Sequence, residues 1–230
     1  MKKTITLLCL LFSVTLLYSQ TLTVNTSGVT SSSNWTVSGN TITVTSDVTM
    51  HPSVLEGYLN AGTSITVNTS IIKIESSISK TSGGNARITL QANANLQVLN
   101  GAGISSSSNQ LDIILWANAD SSAAYSAVND FLYLDPGTSL ASNGGLIVLA
   151  GGADNGQNGG TANDGIPDNY PISGQTATIY AGLNIGPTSG TSTSITINSS
   201  GGDIILRGQS GSNTSLPGIS SQANFSIDAG

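Results

Sequence analysis

A glycine pair followed by a run of aliphatic residues recurs along this chain of 230 residues, and it narrows the fold more than any other feature. Ser200-Gly201-Gly202-Asp203-Ile204-Ile205-Leu206-Arg207-Gly208 and Asn143-Gly144-Gly145-Leu146-Ile147-Val148-Leu149-Ala150-Gly151 are one phrase written twice. Ser82-Gly83-Gly84-Asn85-Ala86-Arg87-Ile88-Thr89-Leu90 is a looser copy, and Leu111-Asp112-Ile113-Ile114-Leu115-Trp116 keeps only the apolar half. Glycine accepts the positive φ of a tight turn, and the β-branched residues that follow suit a pleated backbone. Each phrase is therefore a turn and then a strand. Repetition of such a unit predicts stacking of the unit on itself.

From Ser64 onward the rhythm is regular. Ile65-Thr66-Val67, Ile88-Thr89-Leu90, Ile113-Ile114-Leu115, Ile147-Val148-Leu149, Thr178-Ile179-Tyr180, Ile204-Ile205-Leu206 and Phe225-Ser226-Ile227 start at intervals of 21 to 34 residues. Between them lie Ile72-Lys73-Ile74, Leu96-Gln97-Val98, Leu132-Tyr133-Leu134 and Ile195-Thr196-Ile197. Short strands with turns of varying length at this spacing predict an all-β chain wound as a parallel β-helix, a solenoid of about three strands per coil. Residues 63–230 are expected to form the coils, ending on a last coil that is uncapped or continues. Residues 20–62 repeat least. They contain the alternating run Thr41-Ile42-Thr43-Val44-Thr45 and a helix-prone stretch over Val54 to Asn60 near Pro52, and are expected to form an N-terminal cap or first irregular coils.

Residues 1–19 read as a secretory signal peptide: Lys2-Lys3, an apolar run from Ile5 to Leu17, and Ser19 at the cleavage point. That run is too short to predict a membrane span, and its removal takes away Cys9, the one cysteine. A secreted chain without cysteine depends on a long core rather than on disulfides. Charged residues are only 8% of the chain, against about 25% in ordinary domains. After the signal, four basic residues (Lys73, Lys80, Arg87, Arg207) face twelve acidic ones, which argues against nucleic acid and anionic membranes as partners.

The succession Leu111-Asp112-Ile113-Ile114-Leu115-Trp116-Ala117-Asn118-Ala119-Asp120, then Leu140 to Gly152, then Gly201 to Gly208 resembles the filamentous-haemagglutinin-like β-strand repeats of bacterial surface proteins. The resemblance spans roughly residues 84 to 230. It implies a right-handed parallel β-helix at the cell surface, serving cell adhesion as an adhesin stalk or fibre whose partners are glycans or surface proteins of a host or the environment. The Asn-Pro-Asn-Gly motif of two-partner secretion domains is absent, so that export route is not implied. The family supplies no catalytic residue.

Two insertions carry the chemistry on offer, residues 119–130 and 151–175. Asp154, Asp164 and Asp168, amid several asparagines, are hard oxygen donors of the kind Ca²⁺ takes, although Asn, Asp and Gly also simply make turns. No other cofactor is expected. Tyr125 and Tyr170 lie in the insertions and are the candidate sugar-stacking side chains, whereas Trp116 and Tyr133 sit in strands and read as core. Asp120, Asp130 and Asp135 are the carboxylates an alternative function needs, that of a secreted polysaccharide-active enzyme, a glycoside hydrolase or lyase. His51 stands alone and reads as a turn residue, unable to build a zinc site or a triad by itself.

Overall fold

Strict alternation sets the strands. In Thr41–Val44 the aliphatic side chains are buried and the threonines are not, and Ile65–Thr69 alternates in the same way over five residues, with Ile65, Val67 and Thr69 on the buried side. The computed structural model describes residues 19–120, 131–157, 160–168, 182–186, 194–208, 219–221 and 224–230. Its elements begin with β1 (Thr21–Val29), β2 (Trp35–Ser38), β3 (Thr41–Val44), β4 (Val48–Met50), α1 (Ser53–Asn60), β5 (Ile65–Thr69), β6 (Ile71–Ile74) and β7 (Ile78–Lys80). They continue with β8 (Ala86–Ala92), β9 (Leu96–Val98), β10 (Gly103–Ser106), β11 (Leu111–Ala117), β12 (Leu132–Leu134) and β13 (Ser139–Ala141). The last are β14 (Ile147–Gly151), β15 (Leu183–Ile185), β16 (Ile195–Asn198), β17 (Ile204–Leu206), β18 (Ile219–Ser221) and β19 (Phe225–Asp228).

These strands make three sheets. The first has the order β18-β15-β12-β9-β6-β1-β4, the second β19-β16-β13-β10-β7, and the third β17-β14-β11-β8-β5-β3-β2. From β5 on, the chain visits the three in rotation. Register is kept along each sheet, so like residues stack: Val67 on Leu90, Leu90 on Leu115, Leu115 on Leu149 and Leu149 on Leu206 in the third. Ile78, Ile104, Leu140, Ile197 and Ile227 form the matching column of the second. The inward columns share one apolar cluster that runs from Leu22 to Ile197. Burying each such side chain contributes about 1.5–3 kcal/mol.

The all-β, right-handed parallel β-helix expected from the sequence is corrected here. The fold is mixed: strands lie in three separate sheets rather than one solenoid, β2 and β3 pair antiparallel, and a helix belongs to the structure. The corners give the physical reason. Asn109, Asn143 and Ser200 have φ of 57°, 53° and 54°, and Gly144 and Gly201 follow at 90° and 103°. A left-handed backbone cannot continue a strand, so each strand ends at its turn and the chain passes to the next sheet. Two of these corners are where the glycine pairs lie. The second glycine is needed for a different reason: a Cβ on Gly145 would stand 2.5 Å from the Leu111 carbonyl carbon.

The corners between the second and third sheets are held by side chains. Asn109 Nδ2 donates to the Gly83 carbonyl at 2.7 Å, and Asn143 Nδ2 to the Asn109 carbonyl at 3.0 Å. Ser142 Oγ donates to the Gly145 carbonyl at 2.6 Å, and Ser199 Oγ to that of Gly202. In the β7 corner this place is taken by Lys80, fully buried, whose Nζ donates to the carbonyls of Ser108 and Gly83.

At the low-numbered end, α1 lies against β7, with Leu55 and Leu59 buried. Its Glu56 Oε1 accepts the Ser79 N–H at 2.9 Å, and Asn60 Oδ1 accepts those of Thr81 and Ser82. The helix thus supplies acceptors to a strand edge that has no strand beside it among the described residues. The lone His51 holds the start of this helix, its Nδ1 3.2 Å from the Ser53 N–H.

Candidate functional site on the third sheet

Outward side chains of the third sheet fall in columns, and the columns change character along the molecule. Thr41, Thr66 and Thr89 stack in one, which then continues as Ile114, Val148 and Ile205. Asn68 and Gln91 lead into Trp116 and Ala150 in the next. The apolar half is a second, smaller core: Ile114, Trp116, Val148 and Ala150, with Leu146, Ile205 and Ile166 packed against it. Ile166 comes from the loop that follows β14. Trp116, read from sequence as interior core, is buried at 8% exposure but on the outer face, beneath this loop. Its Nε1 donates to the Gly152 carbonyl at 2.8 Å.

The loop is held by carboxylates and by both arginines of the chain. Asp168 is completely buried, and its Oδ2 accepts the backbone N–H groups of Asn155 and Gly156 at 2.8 and 2.5 Å. Asp154 accepts those of Asp164 and Gly165, at 3.4 and 2.8 Å. Asp164 Oδ1 accepts its neighbour Ile166 N–H at 2.9 Å. Arg207 Nη1 donates 2.5 Å to the Pro167 carbonyl and lies 3.7 Å from Asp168 Oδ1. Arg87 Nη1 reaches the Asp164 carbonyl at 3.5 Å. Two residues 120 positions apart in sequence thereby clamp one loop. A buried carboxylate is tolerable here because two N–H donors and a guanidinium face it.

Beside the loop runs an open polar groove lined by Ser64, Asn85, Ala86, Arg87, Gln110 and Asp112. Arg87 Nε and Nη2 both donate to Asp112 Oδ2 at 3.1 Å, and Asp112 Oδ1 accepts the Leu146 N–H. Asn85 and Gln110 are joined twice, Nδ2 to Oε1 and Gln110 N–H to Oδ1, each at 3.1 Å. The result is a fixed row of planar amide, carboxylate and guanidinium groups at the edge of a threonine column. Groups of this type bind ligands rich in hydroxyls, because each planar head offers directed donors or acceptors at low entropic cost.

Of the residues singled out from sequence, Asp154, Asp164 and Asp168 are brought into one loop, where their oxygens serve backbone N–H groups. Among the described residues no group of three His, Cys, Asp or Glu side chains converges as metal ligands. Tyr125, Tyr170 and Asp130 lie outside the described residues. Asp135 is engaged locally, accepting from Tyr133 Oη at 2.9 Å and from the Asn100 N–H at 3.0 Å. Arg87, Arg207 and Asp112 were not singled out. Their signal was scarcity: a chain with so few charges places them where a charge is required. Among the described residues no helix is long and apolar enough to cross a membrane. The chain matches no known protein family, no curated protein and no solved structure.

Proposed function

We propose that the chain is an exported, adhesive segment of a bacterial surface or secreted protein, of the filamentous-haemagglutinin-like kind. Its first nineteen residues serve as the export signal, and its outer faces attach to glycans or surface proteins. The observation that carries this reading is the outer face of the third sheet. A threonine column and an amide column stand in register beside a groove of fixed planar polar groups, buttressed by a loop that two arginines hold down. The low-numbered half of this face offers hydrogen-bonding groups in register beside the groove, which suits contacts with a hydroxylated polymer better than capture of one small molecule.

The test is retention of the purified protein on a glycan array and on protein-coated surfaces. Binding to at least one class is expected, and Asn85→Ala with Gln110→Ala weakens it about tenfold, the loss of roughly 1.4 kcal/mol of contact. Unchanged binding in that variant would move the attachment face elsewhere. No retention on any glycan or protein surface overturns the adhesive reading itself.

A further inference from the structure

In the groove beside the loop, the hydrogen bonds among its own side chains decide what it has left to offer a ligand. The Gln110 backbone N–H can only donate, and it donates to Asn85 Oδ1 at 3.1 Å. That fixes the Asn85 amide, with its oxygen toward the backbone and its Nδ2 toward the Gln110 side chain, where it meets Oε1 at 3.1 Å. Gln110 Nε2 is thereby turned away, and it donates to no group among the described residues. Both amides are exposed.

The oxygens are in the opposite condition. Ser64 Oγ accepts the Arg87 backbone N–H at 3.0 Å, Asp112 Oδ1 accepts the Leu146 N–H, and Asp112 Oδ2 accepts twice from Arg87. With Asn85 Oδ1 and Gln110 Oε1 also taken, every side-chain oxygen lining the groove already accepts a hydrogen bond. The spare capacity lies in donors: both N–H bonds of Gln110 Nε2, the second of Asn85 Nδ2 and the Ser64 hydroxyl. Arg87 adds no net charge, since Asp112 faces it, and the chain as a whole carries a formal charge of −6. The groove is therefore rich in donors without attracting anions.

We infer that the groove binds neutral glycans that bear acetyl groups, with an acetyl carbonyl accepting from Gln110 Nε2; this rests on the attachment function proposed for this face and names its ligand class. A neutral partner that satisfies spare donors must bring acceptors in excess. A carbonyl oxygen has two lone pairs and no hydrogen of its own, and the hydroxyls of the same polymer accept as well by rotating their hydrogens aside. An extended peptide fits less well, because it brings a fixed N–H with nearly every carbonyl and the oxygens of the groove are engaged. Uronate and sulfate polymers also bring acceptors, but their charge is opposed by that of the chain.

Penta-N-acetylchitopentaose and cellopentaose share length, linkage and neutrality, and differ in carrying an acetamido or a hydroxyl group beside the anomeric carbon of each ring. Titration calorimetry of the full chain is expected to show about tenfold tighter binding of the acetylated pentamer. Gln110→Glu keeps the side-chain oxygen that Asn85 needs and the backbone bond, but removes the outward donors, and its charge has no counterpart on a neutral ligand. It is expected to bring the two pentamers to equal affinity. Binding of neither pentamer, equal binding of the two to the unmodified chain, tighter binding of an oligogalacturonate than of either, or a preference that survives Gln110→Glu each overturn the inference and leave attachment through other contacts standing. Absence of retention on any glycan or protein surface overturns the attachment function and this ligand class together. If Gln110→Glu misfolds, the comparison of the pentamers on the unmodified chain decides alone.

Discussion

Lys80 shows how a single residue reconciles a charge with an apolar surrounding. Its neighbours in the corresponding corners are serines that reach one or two carbonyls, and its longer stem carries three donors into the same turn. Burial lowers its pKa from the ordinary 10.5, because the charged form is desolvated. The sign for stability follows by linkage. Between the folded-state pKa and 10.5 the unfolded chain binds more protons than the folded one, so stability rises with pH through that window. Chemical denaturation at a series of pH values from 8 to 11 is expected to show the rise, and Lys80→Met to remove that part of it. Glycine positions act through space instead. At Gly145 the neighbouring backbone leaves no room for a Cβ, and that requirement belongs to the stacking and not to the local turn.

Among the elements, the loop after β14 has the most to lose from one substitution. Asp168 terminates two backbone donors and faces Arg207, so Asp168→Ala leaves buried donors without an acceptor. A cost of about 1.5–3 kcal/mol per charged hydrogen bond is expected, concentrated in the loop. The reporter is Trp116, bonded to the Gly152 carbonyl at the loop's root. In a Trp35→Phe background, Asp168→Ala is expected to shift Trp116 emission to longer wavelength and to speed hydrogen exchange in residues 152–157 and 160–168, with β5 and β8 unchanged. The alternation of Asp, Asn and Gly made this segment legible as a loop. Its carboxylates were legible as oxygen donors, but not that backbone N–H groups would take them up, because that depends on how the loop folds back over the sheet.

For the whole molecule, the dominant problem is the edge. Three open sheets, mostly parallel, have six edges among the described residues, and at the low-numbered end the chain covers that of β7 with α1, whose Glu56 carboxylate receives the Ser79 N–H. Glu56→Ala is expected to lower stability by about 1–3 kcal/mol and to increase light scattering on storage.

By itself, the sequence determined the alternation within strands and the centres of most of them, but not the side of the sheet on which Trp116 falls. Alternation with period two is a local property, and the triplets starting at Ile65, Ile88, Ile113, Ile147 and Ile204 all lie in the third sheet. It also marked the helix-prone stretch near Pro52. Phe225-Ser226-Ile227 looked like the next of that series and belongs to the second sheet, because turn lengths vary and period two carries no count of corners. Only the tertiary structure decided that left-handed corners cut the strands into three sheets, that α1 lies on an edge, and that Arg87 and Arg207 meet over one loop. Those outcomes depend on contacts between residues tens of positions apart, and such contacts leave no mark on local pattern.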